Sequence, residues 1–490
     1  MAKIDIKNLS FGYDSNNIVF SNLNVTLDSS WRIGLIGRNG RGKSTLLKLL
    51  AGKIKGSGTI TGAKNFYYFP LEIDPSKSLV DLISQQNIED WKIYKELNLL
   101  DFNLSLLNNQ YGSLSGGEKV KFQFAIMFAD SFSFALIDEP TNHLDEATKE
   151  VILNYIKSKK GYIIVSHDRY FLDNCIDHVL SFNKTSIELI KGNYSSWEEN
   201  FKRQQNYNIA YNERLEKDID RLEESKKKIV NWSFTAEKAK FGGVDNKSGL
   251  RPDRGHVGSK AARVMKRAKT IEKRINDKIE DKKDLLKDVE KDEHLKVLPN
   301  KRFKNSLLIM LKNLSKNIDE RELFKGLDLE VYSGDRVAIL GDNGCGKTTL
   351  LKILLGQDDN YNGSLYRKPN LKISYISQDT DFLKGDINSF IEENKIDKTV
   401  FFMLLDKLNI KIKDIKNLDK LSDGQKKKIL IAKSLSEQAD IYIWDEPLNF
   451  IDIISRLQIE ELIEESDLTL IFVQHDKYFI DKIATKVLQL

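Results

Sequence analysis

A series of four short motifs occurs twice in this 490-residue chain, in the same order each time. The first motif is a glycine-rich loop, which runs from Gly37 to Ser44 and again from Gly341 to Thr348. The other three are Leu-Ser-Gly-Gly-Glu or Leu-Ser-Asp-Gly-Gln, then Asp-Glu-Pro, then His-Asp-Arg/Lys-Tyr-Phe. The serine of the second motif precedes the glutamate of the third by 24 residues in both copies. Such a repeat predicts two copies of one domain.

The two copies are predicted to cover residues 1–195 and 305–490, with a segment of different character at 196–300. A chain of this length is too long for a single hydrophobic core. Within each copy, strand-like apolar runs alternate with helical ones, which is typical of the α/β class. We therefore predict two α/β domains joined by a linker.

The glycine loops have the context that phosphate binding requires. Each one follows a strand-like run and precedes a helical one, so backbone N–H groups and a helix N-terminus can face an anion. The lysine suits the β- and γ-phosphates, and the Ser or Thr hydroxyl suits Mg²⁺. We predict that ATP and Mg²⁺ bind here. The predicted ATP-binding residues of the loops are Gly37, Asn39, Gly40, Gly42, Lys43, Ser44 and Thr45, and Gly341, Asn343, Gly344, Gly346, Lys347, Thr348 and Thr349.

Two acidic residues follow an apolar strand in each copy. Asp138 and Asp445 are predicted to hold Mg²⁺ through water, since a carboxylate at the end of a buried strand suits that task. The next residues, Glu139 and Glu446, are predicted to orient or deprotonate the attacking water. A pair of acids in a surface turn is the structural alternative, and the four apolar residues before each pair argue against it.

The Leu-Ser-x-Gly-Glu/Gln motifs resemble the signature of the ABC ATPases. This resemblance implies that two cassettes pair head to tail, so that each ATP lies between one glycine loop and the opposite signature. The first site would join Lys43, Ser44, Asp138, Glu139 and His167 to Ser422, Asp423, Gly424 and Gln425. The second would join Lys347, Thr348, Asp445, Glu446 and His475 to Ser115, Gly116, Gly117 and Glu118. His167 and His475 resemble the switch histidines that contact the γ-phosphate.

The two halves differ at two positions of the resemblance. Tyr13 is predicted to stack on adenine, whereas its counterpart in the second half is Ile318. Gln378 matches the Q-loop glutamine and is predicted to contact Mg²⁺, whereas the first half has no glutamine there. In the first site, Glu72 or water is expected to contact Mg²⁺ instead. Both sites are expected to hydrolyse ATP, though unequally.

The linker is predicted to fold as an antiparallel helical hairpin. Apolar residues recur at heptad-like spacing in two long stretches, and a segment rich in glycine near 235–259 predicts the tip. Each arm of roughly 40 residues would be ~60 Å long. The predicted seam comprises Leu215, Ile219, Leu222 and Ile229 in the first arm, and Val264, Ala268, Ile271, Ile275, Leu285 and Val289 in the second.

Charge distinguishes this hairpin from the rest of the chain. Between Lys226 and Arg274 there are 15 Lys or Arg residues and four acids, while the whole chain has a net charge of only +5. A basic segment on a slightly acidic body favours a polyanionic partner, although a solvated spacer is the structural alternative. The predicted RNA-binding residues are Lys238, Lys240, Phe241, Lys247, Arg251, Arg254, Lys260 and Arg263.

Two ABC cassettes joined by a basic hairpin resemble the ABC-F family of ribosome-binding translation factors. Residues 192–197 (Gly-Asn-Tyr-Ser-Ser-Trp) and 259–267 carry further similarity. The family resemblance implies binding of the 70S ribosome at the E site. It also implies that the hairpin approaches P-site tRNA and 23S rRNA near the peptidyl-transferase centre, and that ATP hydrolysis releases the protein.

A finer resemblance concerns antibiotics. Residues 426–433 and 444–452, with Leu448 where Thr141 stands in the first half, are similar to the branch that protects against lincosamides, streptogramin A and pleuromutilins. The alternatives are a housekeeping factor that relieves stalled ribosomes, an ATPase subunit of a transporter, and a chromosome or DNA-repair ATPase. The fused cassettes and basic hairpin argue against the last two.

Composition adds a predicted location. The apolar runs are of strand length, far below the ~18 residues of a membrane span. Two lone cysteines, Cys175 and Cys345, fit a reducing compartment. We therefore expect a cytoplasmic monomer without a membrane partner, in which the two cassettes of one chain pair with each other.

Overall fold

A computed structural model describes residues 3–14, 17–62, 65–86, 88–130, 133–142, 144–183, 186–238, 254–284, 303, 305–318, 321–342, 344–410 and 417–490. The chain divides into two compact units. One unit comprises Met1–Trp197 and Asp292–Leu490 and contains both repeats; the other comprises Glu198–Lys291. None of the helices in the described ranges is long and apolar enough to cross a membrane.

The described part of the first cassette contains two sheets and six α-helices. Its strands are β1 (Lys3–Asp14), β2 (Asn17–Asp28), β3 (Arg32–Gly37), β4 (Ser57–Thr61), β5 (Asn65–Phe69), β6 (Ser133–Asp138), β7 (Tyr162–Val165), β8 (His178–Phe182) and β9 (Ile187–Lys191). Its helices are α1 (Lys43–Leu50), α2 (Leu79–Ser84), α3 (Asp90–Leu99), α4 (Gly116–Ala129), α5 (Glu146–Lys157) and α6 (Arg169–Cys175), and α7 (Tyr194–Lys238) begins at its end.

The second cassette repeats this arrangement. Its strands are β10 (Leu307–Ile318), β11 (Arg321–Tyr332), β12 (Arg336–Leu340), β13 (Asn362–Arg367), β14 (Ile373–Ile376), β15 (Ile441–Asp445), β16 (Leu470–Val473) and β17 (Lys486–Gln489). Its helices are α9 (Lys347–Leu355), α10 (Ile387–Glu393), α11 (Lys398–Lys407), α12 (Asp423–Ser436), α13 (Ile453–Glu464) and α14 (Lys477–Ile483). The structure thus confirms the predicted pair of α/β domains.

Sheet topology places the repeated motifs at one edge. The central sheets have the strand orders β5-β6-β7-β3-β8-β9 and β14-β15-β16-β12-β17, and all their pairings are parallel except β8 with β9. The glycine loops follow β3 and β12, and the Asp-Glu pairs follow β6 and β15. Because parallel strands end at the same edge of a sheet, these motifs meet there, where ligands of α/β proteins bind.

The second unit contains the long helices α7 and α8 (Arg254–Asp284). Ile219 of α7 packs in one cluster with Ile275 and Ile279 of α8, and Lys282 pairs with Asp218 at 2.8 Å. Leu215 and Ala268 of the predicted seam are also buried, and Ile279 adds to it. The other described seam residues, Leu222, Ile229, Val264 and Ile271, are partly buried. Leu285 and Val289 lie outside the described residues.

The two helices reach into the segment near 235–259 that the sequence predicts as the tip. Helix α7 continues to Lys238 and α8 begins at Arg254, while residues 239–253 lie outside the described residues. The sequence Ala236-Glu237-Lys238 consists of good helix formers. Gly255 and Gly258 lie within α8, where one glycine costs a helix only about 1 kcal/mol.

Candidate nucleotide-binding sites

In both glycine loops, the lysine side chain folds back against the loop backbone. Lys43 Nζ donates hydrogen bonds to the carbonyl oxygens of Gly37 and Arg38, at 2.7 and 3.1 Å. Lys347 Nζ does the same toward the loop residues Gly341 and Asp342, at 2.8 and 2.9 Å. Each ammonium is thereby held in the concavity of the loop, where phosphate oxygens can replace the carbonyl oxygens as acceptors.

A glycine precedes each of these lysines for a steric reason. Gly42 and Gly346 have φ angles of 91° and 104°, in the left-handed region that side chains disfavour. At Gly42, a Cβ atom would also lie 2.4 Å from a methyl of Val19. The first turn of α1 and of α9 can therefore open directly toward an anion.

The two strand-terminal aspartates receive hydrogen bonds from different donors. Asp445 Oδ2 accepts one from Thr348 Oγ1 at 2.9 Å, and burial raises the pKa of Asp445. Asp138 Oδ2 accepts one from the hydroxyl of Tyr68 at 3.0 Å. Asp138 Oδ1 is buried and has no hydrogen-bond partner among the described residues.

Each following glutamate contacts the histidine of the last motif. His167 Nε2 lies 3.2 Å from Glu139 Oε1, and the backbone N–H of His167 donates to Glu139 Oε2 at 3.3 Å. Burial raises the pKa of Glu139 to about 7 and holds the pKa of His167 well below its usual value. A carboxylate with a pKa near neutrality beside a neutral imidazole is suited to general-base chemistry.

The second glutamate has a different set of partners. Glu446 Oε2 accepts hydrogen bonds from Asn449 Nδ2 at 2.6 Å and from Gln378 Nε2 at 2.9 Å. His475 Nε2 lies 3.8 Å from Glu446 Oε1, and burial lowers the pKa of His475. Glu139 and Glu446 share backbone strain, with φ angles of 52° and 47°. Such strain is often found at functional residues.

The signature motifs begin helices. Ser115 and Ser422 cap α4 and α12, and each forms a reciprocal capping box with the residue three positions later, Glu118 or Gln425. The backbone N–H groups of the first helical turn that the capping box does not use point out of the helix N-terminus, which is a suitable environment for phosphate.

The structure brings the first glycine loop and the second signature together. One cavity of about 720 Å³ lies between the cassettes. From the first cassette its lining includes Tyr13, Asn39, Gly40, Gly42, Lys43, Ser44, Thr45, Asp138, Glu139 and His167, and from the second Ser422, Asp423, Gly424 and Gln425. Asn39 Nδ2 donates to the carbonyl oxygen of Phe450 across this junction at 3.0 Å.

Comparisons with known proteins agree with this architecture. The family model described as ABC transporter matches residues 20–142 and 324–449. The ribosome protection protein VmlR of Bacillus subtilis (strain 168) is 30% identical over 98% of this chain and 85% of its own length. This chain belongs to the ABC-F family. The ATP-binding protein Uup of Buchnera aphidicola (subsp. Acyrthosiphon pisum) is 28% identical, over 99% of this chain and 80% of its own length.

Among solved structures, archaeal ribosome recycling factor aABCE1, in complex with the ribosomal stalk protein aP1, has a similar fold. Its TM-score is 0.62 at 19% identity, with 98% of this chain and 87% of that chain covered. The family places ATP binding and hydrolysis in the paired cassettes, and this ABC-F protein is an ATPase.

The second site of the ABC-F protein is less enclosed. Lys347, Thr348, Asp445, Glu446 and His475 lie close together, as predicted, but the first signature has fewer close contacts with the opposite cassette. A Cβ atom on Gly424 of the second signature would lie 3.4 Å from Asn39 Nδ2 of the opposite cassette, whereas the three nearest atoms to a Cβ atom on Gly117 belong to Thr148 of the same cassette. Asn343 lies outside the described residues. The two sites therefore differ in how closely their halves approach.

A buried ionic network joins the cassettes. Arg169 Nη2 lies 2.6 Å from Glu460 Oε1 and 3.1 Å from Asp476 Oδ1, and these three side chains are only 2%, 1% and 5% exposed. Arg456 Nη1 reaches the other oxygen of Asp476 at 2.9 Å. Although burial raises it, the pKa of Asp476 lies below its usual value because of the two guanidinium groups. Arg169 and Asp476 belong to the fourth repeated motif, but the sequence did not indicate that they pair.

The oxygen ligands near the glycine loops suit Mg²⁺. A hydroxyl and a carboxylate lie close together in each site, and Asp138 has a buried oxygen without a partner among the described residues. Groups of three or more His, Cys, Asp and Glu residues that could hold a metal do not occur in the described ranges. Mg²⁺ itself uses few protein ligands and completes its shell with phosphates and water.

The remaining predicted residues have varied outcomes. Tyr13 is exposed at the cavity and its hydroxyl lies 3.0 Å from Thr45 Oγ1, while Ile318 is exposed. Glu72 pairs with Lys53 at 2.6 Å on the surface, so the part expected for it in the first site is not supported. Of the predicted RNA-binding residues, Lys238, Arg254, Lys260 and Arg263 lie on the helices, while Lys240, Phe241, Lys247 and Arg251 lie outside the described residues.

Proposed function

We propose that this ABC-F protein binds the 70S ribosome and protects its peptidyl-transferase centre from antibiotics. It enters through the E site, and its hairpin approaches P-site tRNA and 23S rRNA. The drugs are lincosamides, streptogramin A and pleuromutilins. ATP binding favours the docked form, and hydrolysis allows release. The observation that carries this proposal is the similarity to the ribosome protection protein VmlR, which covers 98% of the chain, hairpin included.

The charge of the hairpin supports a ribosomal partner. Six cations are exposed on α8 within 12 residues, and only one acid, Glu272, lies among them. These cations are Arg263, Lys266, Arg267, Lys269, Lys273 and Arg274. Exposed Lys and Arg side chains along one helix are suited to phosphate groups of RNA, and their binding weakens as salt rises.

The root of the hairpin helix supports a link between ATP and docking. Tyr194, the first residue of α7, and Trp197 are buried, with their rings 5.7 Å apart. The Tyr194 ring also lies 6.4 Å from that of Tyr478 on α14 of the second cassette. The first turn of α7 therefore lies at the junction of the two cassettes, and we expect a change in cassette pairing to alter the packing of this turn.

We assign the residues of the two ATP sites the roles that the family resemblance implies. Lys43 and Lys347 bind phosphate. Ser44 and Asp138 would hold Mg²⁺ in the first site, and Thr348, Asp445 and Gln378 would hold it in the second. The bound Mg²⁺ would neutralise phosphate charge. Glu139 and Glu446 orient the attacking water, and the histidines His167 and His475 contact the γ-phosphate. The opposite signature closes each site through Ser422 to Gln425 or Ser115 to Glu118.

Ribosome binding is tested by co-sedimentation. The double variant Glu139→Gln, Glu446→Gln retains ATP and should pellet with 70S ribosomes in low salt. In that background, replacing Lys266, Arg267 and Lys269 by Gln should weaken binding. The slope of log affinity against log salt should fall by about 1 for each lost phosphate contact.

The matched control removes cations that already have partners. Lys202 and Arg203 on α7 pair with Glu198 and Glu199, at 2.5 Å in both cases. Their replacement by Gln should leave the salt dependence unchanged. Failure of the double glutamate variant to pellet, or equal losses in the two hairpin variants, contradicts the proposed ribosome contact.

Drug protection is tested in a susceptible bacterium. Expression of the wild-type chain should raise the minimum inhibitory concentration of at least one of the three drug classes, and the Glu139→Gln, Glu446→Gln variant should not. The proposed cytoplasmic location follows from the ribosomal partner. No shift for any class, together with intact ribosome binding, would refute protection and favour a housekeeping translation factor.

A further inference from the structure

The first ATP site lacks the glutamine that the second site uses. In the second site Gln378 donates to the catalytic glutamate Glu446. The corresponding residue of the first site is Leu71, whose apolar side chain can neither donate nor accept a hydrogen bond. The nearby acid Glu72 is turned to the surface, where it pairs with Lys53. The first site therefore has neither Gln nor Glu72 available to orient its polar groups.

Tyr68 is placed to do so. Strand β5 pairs in parallel with β6, which aligns Tyr68 with Leu136, two residues before Asp138. From there the Tyr68 hydroxyl donates to Asp138 Oδ2 at 3.0 Å. Burial and the Asp138 carboxylate raise the pKa of Tyr68, so the hydroxyl remains a donor at neutral pH. Lys53 Nζ lies 4.8 Å from the centre of the Tyr68 ring, on which it packs.

The second site provides an internal comparison. Tyr375 occupies the same step of β14, since it aligns with Ile443, two residues before Asp445. Within the described ranges, however, Tyr375 makes no side-chain hydrogen bond, and Asp445 instead receives the hydroxyl of Thr348. The donor to the aspartate thus comes from the glycine loop in one site and from the strand in the other.

Because Tyr68 and not Ser44 donates to the aspartate, different oxygen atoms remain available to a metal in the first site. In the first site the hydroxyl of Ser44 has no hydrogen-bond partner among the described residues, and neither has Asp138 Oδ1. Both atoms belong to the set that fits Mg²⁺. We propose that Tyr68 is a positioning residue of the first ATP site, which fixes the Asp138 carboxylate so that Oδ1 and the Ser44 hydroxyl face the metal.

A residue that positions a metal-binding carboxylate is expected to affect metal affinity. Groups that orient a metal-binding carboxylate through a hydrogen bond typically contribute 10- to 100-fold to metal affinity or activity. Replacing Tyr68 by Phe removes only the hydroxyl and keeps the ring that packs under Lys53. The fold and the nucleotide pocket should therefore persist, while the carboxylate becomes free to rotate.

The experiment measures each site alone. Lys347→Ala isolates the first site and Lys43→Ala isolates the second, and binding of a fluorescent ATP analogue is followed as Mg²⁺ is added. In the first site, Tyr68→Phe should raise the half-saturating Mg²⁺ concentration by about 10-fold. Binding of the analogue in EDTA should not change. In the second site, Tyr375→Phe should leave the Mg²⁺ dependence unchanged.

Three results would overturn the assignment. The Mg²⁺ curve of Tyr68→Phe could coincide with that of its parent, which would show that the hydroxyl does not position the metal site. Equal weakening with Mg²⁺ and with EDTA would indicate a purely structural role. An equal shift in Tyr375→Phe would show that both tyrosines act alike, contrary to the different donors to Asp138 and Asp445.

Discussion

Replacing Arg169 by Met tests the buried network between the cassettes. Arg169 lies on α6 of the first cassette, and its guanidinium contacts Glu460 and Asp476 of the second. The variant keeps an apolar side chain of similar length but removes the positive charge. Two carboxylates that are 1% and 5% exposed would then lose this cation without gaining water.

The expected loss of stability follows from the partners that remain. Removing one member of a buried ion pair typically costs 3–5 kcal/mol. Here Asp476 keeps Arg456 at 2.9 Å, and Glu460 keeps Lys482 at 3.4 Å. The cost should therefore be at the lower end, about 3 kcal/mol. For a domain of 150–250 residues, 1 kcal/mol corresponds to about 2–4 °C, so the melting temperature should fall by roughly 6–12 °C.

Calorimetry of the nucleotide-free protein measures this change, and the repeat offers a matched control. Lys477 occupies the position of Arg169 in the second cassette, where it is exposed and lies 4.5 Å from the ring centre of Tyr170. Lys477→Met should have little effect, since exposed cation–π contacts are weak. A melting temperature of Arg169→Met equal to that of Lys477→Met would refute the inference that this network stabilises the pairing of the cassettes.

Two further predictions concern pH and turnover. The pKa of Asp476 is lowered in the folded state. The ionised carboxylate therefore stabilises the fold fully above its unfolded pKa, and this contribution is lost as the pH falls through the folded-state pKa. Arg169→Met should raise the pH midpoint of acid unfolding, as measured by circular dichroism. Glu139→Gln should reduce steady-state ATP hydrolysis more than Glu446→Gln, because Glu139, whose pKa is raised to about 7, lies in the more enclosed site. An unchanged rate in either variant would exclude that site from hydrolysis.

The elements that carry the repeated motifs could be predicted because their signals are local. A glycine loop between an apolar strand and a helix, or an acid pair directly after a buried strand, is determined by neighbouring residues. The structure therefore has Lys43 at the start of α1 and Asp138 at the end of β6, as the sequence indicated. The hairpin seam was predictable for the same reason, since its spacing is that of one helix packing on another.

The positions of Tyr68 and Arg169 could not be predicted in this way. The contact from Tyr68 to Asp138 spans 70 residues and depends on the register of β5 against β6. The contact from Arg169 to Asp476 spans 307 residues and depends on how the two cassettes pair. Tyr68 belongs to none of the four repeated motifs, and the fourth motif, which contains Arg169, does not indicate what Arg169 contacts, so only the folded arrangement identifies their partners.

The two cassettes diverge at the positions that face each other, and this makes their pairing directional. The N-caps Asp145 and Asp452 align α5 with α13, so that the buried acid Glu460 corresponds to the buried apolar residue Leu153. Leu153 has no carboxylate to offer Lys477, which accordingly stays at the surface. A buried ion pair adds less to stability than its geometry suggests, because both charges lose water when it forms. Its larger effect is on register, since any sliding of the cassettes would leave Glu460 buried without its cation. The pairing that encloses the first site is thus specified by charge, whereas the second site has no equivalent constraint among the described residues.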